Sequence, residues 1–233
     1  AFFSNEQVSL WLEAKNYLKE SIKAFSRWFG SYPYDSFTAV SGVPGSESKD
    51  EAYPAITCTG FAEKDKQLEQ LLVQGLAQSW FSGKVNFNPQ EYPFLVEGLT
   101  TFTEIWYLSQ KYGEENKLYR SFNISENIAR LMGVEYMDYH DGLDQLYYFM
   151  ARKNKDQPTN TPLSQLSRIN YFSVAEAKTA KAFMHLSGYL NPNRFHLTMR
   201  QFFRDWSFKH PGPEDLKRAF LKRSNKELSW FFE

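Results

Sequence analysis

The sequence predicts an α+β domain that is predominantly helical, with a small sheet in its first quarter. Two observations lead there. Apolar residues recur at three- and four-residue steps through most of the chain, and only two short stretches, 36–43 and 54–59, read as strands. A 42% apolar content over 233 residues is enough for a sizeable core.

The elements follow in order. Over 6–28, Val8, Leu10, Trp11, Ala14, Tyr17, Leu18, Ile22, Phe25 and Phe29 form one helical stripe. Ser4 with Gln7 three residues on resembles a capping box. Gly30 stops the helix, and Ser31-Tyr32-Pro33 forces extended chain. Strand 36–43 is followed by a polar loop, 44–53, and strand 54–59, where Pro54 marks a strand start or a sheet edge. Helices are predicted over 64–82, 92–111, 116–131, 141–153, 174–190, 192–208, 213–222 and 225–232, with 154–172 as the main internal loop. Residues 1–112 would form one lobe and 113–233 a helical lobe of the same domain.

Composition removes several functions. Lys+Arg and Asp+Glu both number 27, so the chain lacks the basic footprint of a general nucleic-acid binder. No apolar run approaches the roughly 18–20 residues of a membrane span. One cysteine, Cys58, makes neither an internal disulfide nor a multi-cysteine zinc site, and its place in a strand suggests a buried thiol. Aromatic side chains are dense, at 21 Phe, 14 Tyr and 6 Trp.

The informative stretch is VQGLAQSWFSGKV at 73–85, followed by VEGLTTFTE at 96–104. Helices there put Gln74 and Gln78 one turn apart on one face, with Glu97 on the next helix. That is the layout of a zinc peptidase with His, His and Glu ligands and a general-base Glu beside the first His.

In this layout the chain resembles the catalytic domain of the aminopeptidase N family of zinc metallopeptidases, which includes the leukotriene hydrolases. That family reads H-E-L-A-H-Q-W-F-G-N-x-V and then, after eighteen residues, N-E-G-F-A-x-Y-x-E. Leu76, Ala77, Trp80, Phe81 and Val85 match the first block; Glu97, Gly98 and Glu104 match the second; residues 79–96 keep the eighteen-residue gap. Phe29-Gly30-Ser31-Tyr32-Pro33-Tyr34, Ile56-Thr57, Phe202-Phe203-Arg204-Asp205 and 226–232 extend the likeness over nearly the whole chain. The resemblance implies a thermolysin-like zincin catalytic-domain fold, with the family's N-terminal β-domain absent and other domains of a longer chain expected.

The same alignment shows what is lost. The two zinc histidines are Gln74 and Gln78, and the general-base glutamate is Gly75; the third ligand position keeps Glu97. A Gln carbonyl is a poor zinc ligand beside imidazole, and Gly75 has nothing to take a proton from water. The family's oxyanion tyrosine, in Y-x-K-G-A, falls on Glu176, whose carboxylate would repel an oxyanion. Glu51 falls near the glutamate of the family's G-A-M-E-N exopeptidase loop, although the rest of that motif is gone. Glu97 reads as a cleft carboxylate bonded to Gln78, and Glu51, Glu97 and Glu104 are the candidate peptide-facing residues.

The remaining reactive side chains have plainer readings. His140, His185, His196 and His210 show no i, i+4 pairing for a metal. His185 reads as a packed histidine, and the Asp138–Asp144 cluster as a helix start with Asp141 at the N-cap. Trp80, Phe81 and Trp106 read as core aromatics. The resemblance therefore implies a catalytically inactive homologue with no cofactor where the family holds zinc. Such a domain would bind a peptide or protein or serve as a scaffold. The alternative is an active zinc aminopeptidase with an unusual metal site, and a third reading is an interaction module without a working cleft.

Overall fold

Helix and strand are laid down here by local periodicity but trimmed by tertiary bonds. The computed structural model describes residues 1–4, 7–42, 51–53, 55–113, 124–137, 139–224 and 226–232; for 51–53, 139, 140 and 143 only the backbone is described. The chain folds as two units, Ala1–Asn88 with His185–Glu233, and Pro89–Met184.

In the first unit the predicted helix 6–28 is two helices, α1 (Val8–Trp11) and α2 (Ala14–Phe29). The capping box does not form, since no side chain caps α1. Gln7 is instead drawn inward. Its Nε2 donates to the Ala62 carbonyl at 2.8 Å, while its Oε1 accepts from Trp11 Nε1 at 3.1 Å and from the Ser41 hydroxyl. Buried amides need such partners, and tertiary bonds take precedence over the local cap. Helix α2 buries Ala14, Ser21, Phe25 and Phe29 and ends at Gly30, whose φ of 89° suits only glycine well.

The sheet has three strands, β1 (Thr38–Val40), β2 (Glu51–Tyr53) and β3 (Ile56–Cys58), in the order β1-β3-β2. Strand β3 is central. It runs parallel to β1, with Ala39 opposite Thr57, and antiparallel to β2, with Ala52 opposite Thr57. Strand β2 lies where a polar loop was expected, and the last predicted strand starts at Ile56 rather than residue 54. Of Glu-Ala-Tyr only the Tyr favours a strand; its pairing with β3 supplies what propensity does not. Phe2 adds a parallel bridge to Val40 on the outer side of β1. Residues 43–50 of the expected loop, and Pro54, lie outside the described residues.

Alternation along β3 exposes Ile56 and Cys58 and buries Thr57. The Cys58 thiol is therefore exposed, not buried as expected. Helix α3 (Asp65–Gln78) packs on β2 and β3 and runs into a π-helical segment, Ser79–Lys84.

An aromatic core fills this unit. Trp80 meets Phe25 edge-on at 5.6 Å and donates through Nε1 to the Gly30 carbonyl at 3.0 Å. Phe29 contacts Phe81 at 5.3 Å and Phe203 at 5.4 Å. Such pairs add to the area term of burial. Phe203 comes from the helix Pro192–Asp205, which packs on α2 and stacks His196 on Trp28 at 5.3 Å. That helix stops three residues short of prediction, and the Phe208 N–H bonds the Lys84 carbonyl at 2.6 Å. Pro213–Arg223 and Ser229–Phe232 complete the unit. His185 is exposed, which corrects the packed reading.

The second unit is built on α4 (Pro93–Tyr112), with Pro93 at the first turn and a nearly continuous buried face from Leu95 to Leu108. Against it lies a π-helical run, Tyr171–Lys178. A helix covers Glu126–Leu131, capped by Ser125; residues 116–123 of the predicted 116–131 helix lie outside the described residues. The helix Tyr139–Arg152 starts before Asp141, which sits in its first turn and is not an N-cap. Lys181 draws the two acids of that helix toward itself, with Asp144 at 2.6 Å and Asp141 at 3.8 Å. Asp138 and the His140 side chain lie outside the described residues.

The loop expected over 154–172 ends earlier. Ser167 caps a helical start at Arg168–Asn170 that continues through Tyr171–Lys178 into Thr179–Leu190. The Ser167 hydroxyl supplies the missing acceptor for the Asn170 N–H at 3.3 Å, a start signal hidden in a polar stretch. Among the described residues no helix is long and apolar enough to cross a membrane.

Candidate functional site

The motif residues fall on both units. In the first, α3 carries Gln74, Gly75 and Gln78. Gln74 and Gln78 are half-buried, one turn apart on the same face, and Gly75 between them is buried. The apolar letters of the motif are core: Leu76, Ala77, Trp80, Phe81 and Val85 are fully buried.

Gly75 lies against β3. A Cβ at position 75 would stand 2.2 Å from Thr57 Oγ1, 2.7 Å from its Cβ and 2.9 Å from its Cγ2. Thr57 is itself fully buried, and among the described residues its hydroxyl has no hydrogen-bond partner. Helix and strand thus meet at a side chain on one surface and bare backbone on the other. Glu51 begins β2, and its side chain lies outside the described residues.

In the second unit α4 carries Glu97, Gly98 and Glu104. Glu97 is half-buried and hydrogen-bonded to the Tyr171 side chain. Burial first, then the Glu97 and Glu176 carboxylates, push the Tyr171 phenol far above its ordinary range. Tyr171 therefore stays a proton donor even where a free phenol would ionise. Glu176, half-buried, lies five residues further along the same π-helical run. Glu104, two turns along α4 from Glu97, is only 4% exposed. Gly98 permits the close approach of the following helix, since a Cβ there would fall 2.3 Å from Thr179 Cγ2.

The sequence reading singled out neither Thr57 nor Tyr171 as a site residue. Tyr171 lay in a segment read as loop; the π-helical run that brings it near Glu176, five residues on, is not a pattern the 3.6-residue period reveals. Thr57 stood out only as part of Ile56-Thr57, which resembles the end of a family strand, and not as a site residue.

Zinc, the metal of the resembled family, makes demands that Gln74, Gln78 and Glu97 do not meet. Two amides and one carboxylate are hard oxygen donors, and a zinc site of this family's kind needs two imidazoles. Among the described residues there is no group of three or more His, Cys, Asp or Glu able to hold a metal ion. The residues present do not fit zinc.

Comparison with known proteins agrees with the fold. Residues 57–233 match the Peptidase family M1 domain. No curated protein matches in sequence. Among solved structures, a variant of the M1 zinc metallopeptidase from Deinococcus radiodurans superposes with a TM-score of 0.65 at 14% identity, covering 94% of this chain and 43% of that one. The same enzyme bound to a Tyr-Ser-Ala substrate gives 0.63 at 14% identity, covering 91% and 42%. A two-domain M1 zinc metallopeptidase variant bound to L-tryptophan gives 0.65 at 16% identity, covering 91% and 42%. The chain spans less than half the length of these neighbours. With the M1 profile covering most of the sequence and the zincin fold shared by these neighbours, this chain belongs to peptidase family M1.

Proposed function

We propose that this domain is a catalytically inactive homologue of the zinc aminopeptidases that binds a peptide or protein segment, or acts as a scaffold, within a longer protein. One observation carries the reading: the positions of both histidines and of the general base hold Gln74, Gln78 and Gly75, none of which can do the same work. In this reading the former ligand positions hold no zinc, and no residue takes a proton from an attacking water. Glu176 in place of an oxyanion donor works in the same direction. Glu51 in the first unit and Glu97 in the second are each candidate peptide-facing carboxylates, and Glu104, being buried, supports α4.

The test is metal content. Protein exposed to zinc and then dialysed is expected to retain less than about a tenth of an equivalent and to leave aminoacyl substrates intact. Retention of about one equivalent, with hydrolysis lost in Glu97→Ala, overturns the proposal.

A further inference from the structure

Helix α2 has a second face that neither the core nor the motif residues use. Ala14, Ser21, Phe25 and Phe29 turn inward. On the opposite side Lys15, Lys19, Lys23 and Arg27 recur at four-residue steps, and all are exposed. At 1.5 Å per residue they form a cationic stripe about 18 Å long. Among the described residues none of the four is in an ion pair. The acids of this stretch, Glu13 and Glu20, stand seven residues apart on one flank, and Glu13 accepts from Asn16. A merely solvated helix interleaves the two signs along its outer face; here one sign runs the full length. Past the helix end, Lys84 Nζ and Arg200 Cγ lie 3.2 and 4.0 Å from the point where a Cβ on Gly30 would stand, adding positive charge there. The neutral balance of the whole sequence, 27 acids against 27 basic residues, hides this local stripe.

The N-terminal end of the stripe is apolar. Leu12 is 71% and Val8 44% exposed. The backbone at Leu12 and Glu13 stays in the right-handed helical region, so the steps from Val8 to Leu12 and from Leu12 to Lys15 keep to one side. A soluble acidic segment would satisfy the cations and leave Leu12 and Val8 in water. An anionic bilayer satisfies both, with headgroup phosphates and carboxylates for the cations and the acyl boundary for the apolar end. We propose that the outer face of α2 docks on an anionic lipid surface through Lys15, Lys19, Lys23 and Arg27, with Leu12 and Val8 dipping beneath the headgroups. Helix α2 then lies along the bilayer and does not span it. This goes beyond the reading of the motif residues and is independent of whether the domain is active.

The test is co-sedimentation with vesicles of phosphatidylcholine alone or with about one-third phosphatidylserine, in about 0.05 M and about 0.5 M salt. The protein is expected to bind the anionic vesicles at low salt and to leave them at high salt. Lys19→Gln/Lys23→Gln should weaken that partitioning about 30-fold. Lys217→Gln/Lys222→Gln, which removes the same charge from the helix Pro213–Arg223, should change it less than about twofold. Leu12→Ser should weaken binding several-fold and leave its salt dependence unchanged. Glutamine is a good helix former and residues 19 and 23 are exposed, so the double variant should fold, which circular dichroism checks. No partitioning into anionic vesicles at low salt, or an equal loss in the two double variants, overturns the proposal. So does capture by polyglutamate where the vesicles do not bind.

Discussion

Tyr171 and Glu97 are joined by a hydrogen bond between phenol and carboxylate, from two helical segments of one unit. Position 97 is the one that the sequence resemblance sets against the family's third metal ligand. In this chain that carboxylate meets a phenol proton, and the phenol is held protonated by burial and by two neighbouring acids.

Tyr171→Phe should therefore cost about 1–2 kcal/mol at neutral pH, because a half-buried carboxylate loses a donor. It should also change the alkaline limb of stability. A phenol whose folded pKa is raised contributes stability that is complete below its unfolded value of 10.0 and is lost as pH rises beyond it. Thermal melts above pH 10 should fall less steeply in the variant. Some slope should remain, because burial also pushes Tyr32 up to about 12. Identical slopes in the two proteins would refute the assignment.

Chelation gives an independent check. A domain whose donors do not fit zinc gains nothing from the metal, so excess EDTA should move Tm by less than about 1 °C. A ligand bound to the native state at a hundred times its Kd would add about 2.7 kcal/mol, an effect too large to miss.

Acid stability should depend on His196. Burial, with Arg200 adding repulsion, pulls its pKa down to about 4 from 6.5. The folded protein thus prefers the neutral ring stacked on Trp28. Above pH 6.5 both states are neutral and stability is complete; as pH falls from about 6.5 toward 4 only the unfolded chain takes the proton, and stability drops. His196→Phe keeps an aromatic ring over Trp28 and should flatten the melting temperature over that interval.

Gly98→Ala probes the second unit. The added methyl would overlap Thr179 Cγ2 at 2.3 Å and meet the Ala175 carbonyl oxygen at 3.0 Å. Overpacking of this kind costs about 1–3 kcal/mol, against a propensity gain of about 1. Denaturant unfolding should show net destabilisation, and Thr179→Ser, which removes the nearest methyl, should recover part of it.

What the sequence reveals and what it hides divide along physical lines. Trp80 and Phe81 are legible because helical periodicity and burial act along the chain, and both are fully buried. The spacing from Gln78 to Glu97 likewise survives as two helices of the expected kind. Strand β2 is hidden because its pairing comes from β3 and not from its own residues. The Gln7 amide, read as a local cap, answers to Ala62, 55 residues away. The contact of Thr57 with Gly75 is also beyond local pattern, since it joins a strand to a helix packed against it.

The lone cysteine gives the molecule a built-in vantage point. Cys58 faces solvent on the central strand, one residue from Thr57 and on the opposite face of the sheet. With one thiol in 233 residues, a maleimide dye attaches at a single address. Its fluorescence would report on the strand that meets Gly75 without a probe being placed inside that contact.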